Sequence, residues 1–150
     1  MTLLKEGDKA PLFKGINQDG REISLEDFKG KKLILYFYPK DNTSGCTAEA
    51  CSLNDHYSIL TEKGYEVVGV SPDSISSHQK FIAKYNLAFN LIADTEKSIL
   101  ESYGVWAEKS MYGRKYMGVV RTTFIIDEQG IIEKIITKVD TKNAATQILK

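Results

Sequence analysis

The 150 residues carry 20 Lys and Arg against 20 Asp and Glu, so no global field draws the chain to nucleic acid or to an acidic surface. With 42% apolar and 27% charged residues, the composition is that of a globular chain able to bury a sizeable core, and no repeat or low-complexity stretch divides it. One domain over residues 1–150 is expected. The longest apolar run is too short to span a bilayer, and residues 1–6 lack a charged-then-apolar signal pattern. A cytoplasmic, reducing location follows as an expectation, and there a purely structural disulfide is disfavoured.

Strand and helix signals alternate along the chain. Residues 12–17 and 21–24, joined across Gln18-Asp19-Gly20, are predicted to form a hairpin, and residues 25–28 a helical turn closed by Gly30. Residues 33–38, Leu-Ile-Leu-Tyr-Phe-Tyr, are apolar on both faces, as in a central strand covered on each side. A first long helix is predicted over 46–62, ending near Gly64, and a second buried strand over 67–70. Residues 74–85 read as a helix, with Ser74 as N-cap and Ile75, His78, Ile82 and Tyr85 at helical spacing. A short strand over 91–93 and a helix over about 95–102 lead into a loop rich in glycine and aromatic residues. Residues 122–126 and 131–137 flank Asp127-Glu128-Gln129-Gly130 as another hairpin, and 141–149 make a closing helix. The pattern is that of a mixed, three-layer α/β domain with a central sheet flanked by helices.

Both cysteines, Cys46 and Cys51, fall in the first half of the predicted 46–62 helix. Backbone N–H groups at a helix N-terminus lack intrahelical acceptors, and with the macrodipole they favour an anion, so the first turn suits a thiolate at Cys46. At about 100° per residue, Ala50, Leu53, Tyr57 and Leu60 share one stripe with Cys46, whereas Cys51 lies roughly 140° away among Thr47, Asn54, Asp55, Ser58 and Glu62. In an intact helix the two Cα atoms stand roughly 8 to 9 Å apart, beyond the limit of about 7 Å for a disulfide. A bond between them therefore requires the first turn or two to unwind. Gly45 and the run Asp41-Asn42-Thr43-Ser44 suit that end of the helix to such a change.

Three blocks make the chain resemble a peroxiredoxin of the Q type, the bacterioferritin comigratory protein group, over essentially its whole length. They are Leu35-Tyr36-Phe37-Tyr38-Pro39-Lys40-Asp41-Asn42 running into Thr43-Ser44-Gly45-Cys46-Thr47 and Glu49-Ala50-Cys51; Tyr103-Gly104-Val105-Trp106 with Met111-Tyr112-Gly113-Arg114; and the block Gly118-Val119-Val120-Arg121-Thr122-Thr123-Phe124-Ile125-Ile126-Asp127. The family motif Pro-x-x-x-Thr-x-x-Cys falls on Pro39, Thr43 and Cys46, and the family's active-site arginine on Arg121. The resemblance implies a thioredoxin-like fold with an N-terminal extension and the reduction of hydroperoxides. It implies Cys46 as the thiolate that becomes a sulfenic acid, with Arg121 and Thr43 positioning the peroxide and Pro39 shielding the site. It implies Cys51 as the resolving cysteine, with recycling by thioredoxin or a similar dithiol protein. Relatives of this type are often monomers, and a monomer is expected. One departure is Ser44, where the family frequently has proline.

Other readings of the same residues bear comparison. A protein thiol-disulfide oxidoreductase would carry Cys-x-x-Cys at the helix start, but position 49 is Glu. A peroxide-responsive redox sensor would use the same two cysteines without fast turnover. His56 and His78 read as surface or core-edge residues rather than ligands, and no metal or cofactor is signalled or needed. Trp106, Met111, Tyr112, Tyr116 and Met117 could form an apolar rim or pack under the loop that carries them.

Overall fold

The computed structural model describes residues 2–150. Strands β1 (Lys14–Ile16) and β2 (Glu22–Ser24) lead through a 3-10 turn, Leu25–Phe28, to β3 (Lys32–Phe37). Helices α1 (Ser44–Asp55) and α2 (Tyr57–Glu62) follow, then β4 (Tyr65–Ser71), α3 (Ile75–Tyr85), β5 (Asn90–Ala93) and α4 (Ser98–Ser102). The chain continues as β6 (Trp106–Met111), β7 (Arg114–Val119), β8 (Thr122–Ile126) and β9 (Ile132–Ile136), then a 3-10 turn, Thr141–Asn143, and α5 (Ala144–Leu149). Five strands form the central sheet in the order β5-β4-β3-β8-β9. β3, β4 and β5 are parallel, and β8 runs antiparallel to both of its neighbours, β3 and β9.

The run that is apolar on both faces sits where such a run belongs. Leu33, Leu35 and Phe37 of β3 point into a core shared with Phe13, Leu100, Tyr103 and Phe124, beneath α4 and the N-terminal segment. Ile34, Tyr36 and Tyr38 point the opposite way, against Cys46, Ala50 and Leu53 of α1, Phe81 of α3 and Ala145 of α5. Strand alternation sends successive side chains to the two faces, so this central strand seeds both cores. The N-terminal hairpin docks on the β5 edge, where Asn17 Nδ2 donates to Asn90 Oδ1 at 3.1 Å and Leu91 N–H to Gln18 Oε1 at 3.0 Å.

Four predicted elements need correction. The 46–62 helix starts two residues earlier, at Ser44, and breaks at His56. There the backbone N–H of His56 turns to Asn54 O, and the imidazole Nδ1 meets Ser52 O at 2.9 Å in its place. A carbonyl only accepts, so Nδ1 is the donor, and a side chain has displaced the helical backbone bond. The glycine- and aromatic-rich loop expected after residue 102 contains a hairpin, β6 with β7. Its turn, Tyr112-Gly113, has φ of 52° and 77°, the positive pair of a type I′ turn, but Tyr at the first position hides the usual Asn-Gly or Asp-Gly signature. The 95–102 helix shortens to Ser98–Ser102 because Lys97 is left-handed (φ 62°) and Asp94 Oδ2 takes the Leu100 N–H at 2.8 Å. Likewise, the closing helix begins as a 3-10 turn.

Gly69 fixes the packing between β4 and the α1 layer. A Cβ there would stand 2.7 Å from Leu91 Cδ2 and 2.8 Å from Tyr36 Cζ, so the Tyr36 ring lies directly on the glycine. Gly69→Ala overpacks a site whose neighbours are fully buried, and is expected to lower unfolding stability in urea by about 1–3 kcal/mol. An unchanged midpoint would show that Tyr36 relaxes without cost.

Candidate active site

The register of the sheet assembles the site. Phe37 of β3 pairs with Thr122 of β8, so Arg121, just before β8, stands at the C-terminal end of β3, where the chain leaves the sheet for α1. The connection 38–43 is pinned at its centre by Asp41. Asp41 Oδ1 accepts from Tyr38 Oη at 2.6 Å, Oδ2 accepts from Ser77 Oγ at 2.7 Å and lies 2.7 Å from His78 Nδ1, and the Asp41 N–H donates to Asp73 Oδ2 at 2.8 Å. Burial opposes the Asp41 charge, but the bonds from His78, Tyr38 and Ser77 outweigh it and hold the carboxyl below its ordinary range.

His78 is fully buried, not at the core edge as its sequence position suggested, and its Nε2 lies 3.0 Å from Ile92 O. Asp41, Asp73 and His78 bring possible metal-ligand atoms within 4.8 Å of one another. Those atoms are engaged in binding each other and the Ser71 and Ser77 hydroxyls, so the cluster works as a hydrogen-bonded clasp on the loop.

Thr43 is the N-cap of α1 in extended geometry (φ −92°, ψ 159°), which makes Cys46 the third helical residue, with its N–H among the four that lack an intrahelical acceptor. The exposed Thr43 hydroxyl does not cap the helix: it donates to Lys40 O at 2.9 Å and keeps its lone pairs free. Cys46 is 1% exposed. Arg121 forks across two partners, with Nη2 donating to Cys46 Sγ at 3.3 Å and Nη1 to Glu49 Oε1 at 2.6 Å. Gly45 gives the guanidinium room, since a Cβ there would stand 3.3 Å from Arg121 Nη2. Pro39 is half-buried in the connecting segment.

Cys51 is half-buried, and both cysteines are free thiols. Burial, and after it the Asp55 charge, push the Cys51 thiol above its usual range.

Glu49 is the site residue that the sequence did not reveal. Its side chain is buried, its Oε2 has no hydrogen-bond partner, and burial raises its carboxyl to about 7 against the opposing pull of Arg121. Burial also opposes the Arg121 charge, but Glu49 and Cys46 overcome it and hold the guanidinium more firmly protonated. A signal was available in the spacing, because Glu49 lies three residues after Cys46 and so projects from the same side of the helix.

The AhpC/TSA family model matches residues 6–135. The chain belongs to the AhpC/TSA family. Within it, Peroxiredoxin Bcp of Bacillus subtilis is 42% identical over 96% of this chain and 92% of its own. A solved structure of a Xylella fastidiosa PrxQ variant superposes with a TM-score of 0.93 at 29% identity, covering 99% of this chain and 95% of that one. Another, of the Xanthomonas campestris bacterioferritin comigratory protein, concerns that protein's alkyl peroxide reduction activity, with a TM-score of 0.87 at 31% identity over 99% and 95% of the two chains. This member of the family thus has the thioredoxin-like peroxiredoxin fold. Among the described residues no helix is long and apolar enough to cross a membrane.

Glu49 has a pH signature of definite sign. A carboxyl raised from 4.5 to about 7 in the folded protein binds a proton that the unfolded chain has released, so its contribution to stability is greatest at low pH and falls as pH rises through that window. Between pH 5 and 7 the melting temperature of the wild type is expected to decline relative to Glu49→Gln. Parallel curves would show that Glu49 keeps its charge when buried.

Proposed function

We propose that this peroxiredoxin is a thiol peroxidase that reduces hydrogen peroxide and organic hydroperoxides at Cys46, with Cys51 as resolving cysteine and a thioredoxin-like dithiol protein as reductant. The observation that supports the reading most is the Arg121 fork, which aims one guanidinium N–H at the Cys46 sulfur while Glu49 fixes the other arm. A hydroperoxide entering beside Arg121 meets an in-line nucleophile, a fixed positive charge and the free lone pairs of the Thr43 hydroxyl, which can accept the peroxide O–H. The Cys46 thiolate attacks the terminal oxygen, the O–O bond breaks, and the departing oxygen leaves as water or alcohol after taking a proton. Arg121 stabilises the negative charge that develops on both oxygens. Pro39 keeps the loop closed over the sulfur.

Cys46 is left as a sulfenic acid. The Cys51 thiolate attacks that sulfur, the S–O bond breaks, hydroxide leaves and is protonated to water, and an intramolecular disulfide remains. Two thiols of the reductant then return both cysteines to the reduced form by exchange. A cytoplasmic, reducing setting supplies such a reductant continuously.

Rapid oxidation followed by intact-mass analysis tests this scheme. Wild-type protein with one equivalent of hydrogen peroxide is expected to lose two hydrogens, with the bond mapped to Cys46 and Cys51. Cys51→Ser is expected to gain one oxygen and to lose reductant-linked turnover, and Cys46→Ser to show neither reaction. Arg121→Lys keeps a charge but not the fork, and is expected to slow the first oxidation by about 10²-fold. A Cys46→Ser protein that still consumed peroxide, or a Cys51→Ser protein with undiminished turnover, would overturn the assignment.

A further inference from the structure

The two cysteines cannot meet while α1 is intact, so the resolution step proposed above depends on how much of the helix opens and where the opening stops. The structure ties the segment at both ends through several polar side chains, and between them by the packing of Cys46 and Ala50 and by Arg121. On the N-terminal side, Asp41 is clasped by Tyr38, Ser77, His78 and Asp73, and the Asn42 side-chain oxygen accepts from Lys84 Nζ and Tyr85 Oη, each at 3.2 Å. On the C-terminal side, Asn54 is paired in both directions to the loop after α3. Its Nδ2 donates to Asn86 O at 3.1 Å, and its Oδ1 accepts the Ala88 N–H at 2.8 Å. Beside it, Ser52 Oγ accepts the Ala145 N–H at 3.2 Å, and Leu53 is 1% exposed.

Between these anchors, residues 43–51 have polar side-chain ties to distant parts of the molecule through one residue, Arg121, among the described residues. The break at His56, whose ring takes the Ser52 carbonyl, separates α1 from α2, so loss of the first turns is not carried onward by a continuous backbone ladder.

We propose that Asn54, supported by Ser52, is the fixed end of the segment that opens, so that Cys51 stays in place and Cys46 travels to it. The inference rests on the reading of Cys51 as the resolving cysteine. Asn54 is a positioning residue: it touches neither sulfur, and it acts by holding the backbone three residues beyond Cys51. Opening releases the Arg121 bonds to Cys46 and Glu49 and lets the five-residue tether bring the Cys46 sulfur to a stationary partner. A stationary partner gives a higher effective concentration than two ends of a loose loop.

Three backbone amides report on the anchors directly. Asp41 N–H, Ala88 N–H and Ala145 N–H each donate to an anchor side chain. In native-state amide exchange on the reduced protein, the amides of residues 47–51 are expected to share one opening event with protection at least about 100-fold below that of these three. After oxidation the three reporters are expected to keep their protection while residues 47–51 lose theirs. Exchange of Ala88 or Ala145 together with residues 47–51 would mean that α1 detaches as a whole, and would overturn the proposal.

Asn54→Ala is expected to lengthen the lifetime of the Cys46 sulfenic acid about tenfold, with the rate constant of the peroxide step unchanged. Asn54→Asp, which keeps the acceptor for Ala88, is expected to restore most of the resolution rate. Equal effects on both steps, faster resolution, or no effect would each refute the assignment. If wild-type protein formed no disulfide between Cys46 and Cys51, the role of Cys51 would fail, and the exchange pattern of the reduced protein would still decide where the opening stops.

Discussion

One half-buried cation organises this site. Arg121 reaches back from the start of β8 and spends its two terminal nitrogens on the sulfur of Cys46 and the carboxylate of Glu49, both on α1. Neither partner is well placed without it. Glu49 would be an orphaned acid in the core, and the Cys46 sulfur would face its apolar stripe with only helix-terminal amides nearby. The pair Glu49 and Arg121 also carries a cost, since burial makes the carboxylate reluctant to ionise near neutral pH. The helix that presents the nucleophile is therefore held closed by an interaction that water could partly replace. Such an arrangement suits a segment that must be ordered for one chemical step and opened for the next.

Around that core contact the protein separates what must be rigid from what must yield. Asp41 gathers a phenol, a hydroxyl, an imidazole and, through its backbone, a second carboxylate. This connected polar network, buried at Asp41 and His78, fixes where the chain leaves the sheet. At the C-terminal end of α1 the paired amide of Asn54 and the break at His56 do the same. The length between them is about two turns of helix, short enough that only Cys46 and Ala50 leave the hydrophobic core on opening and long enough to contain both cysteines.

Much of this was legible in the chain before folding was considered. The apolar run at 33–38 declared a central strand because alternation was absent, and the hairpins at 18–20 and 127–130 declared themselves through Gly and Asp. The placement of Cys46 on the apolar stripe and Cys51 off it followed from helical angles, and the block around Arg121 from resemblance. What escaped had a common cause. The break at His56, the buried state of His78 and the role of Glu49 all depend on side chains finding partners distant in sequence or outside the regular backbone pattern. Periodicity carries no record of such pairings. The β6–β7 hairpin escaped for a local reason, since Tyr112 occupies a left-handed position that its residue type does not announce.

The sequence by itself determined the order along the chain of the central-sheet strands, the two-sided strand and the position of a thiol in the first turn of a helix, because these depend on neighbours within a few residues and on the fixed periods of helix and strand. It also determined that the two cysteines cannot bond in an intact helix, which is plain geometry. Only the tertiary structure decided which charge stands against the sulfur, which acid is buried beside it and where the helix is fastened. Those outcomes depend on the pairing of Phe37 with Thr122, which sets Arg121 at the mouth of the loop, and on the packing of α3 and α5 over α1. Contacts between residues 75 apart in the chain, such as Arg121 to Cys46, are made only when the sheet register is complete.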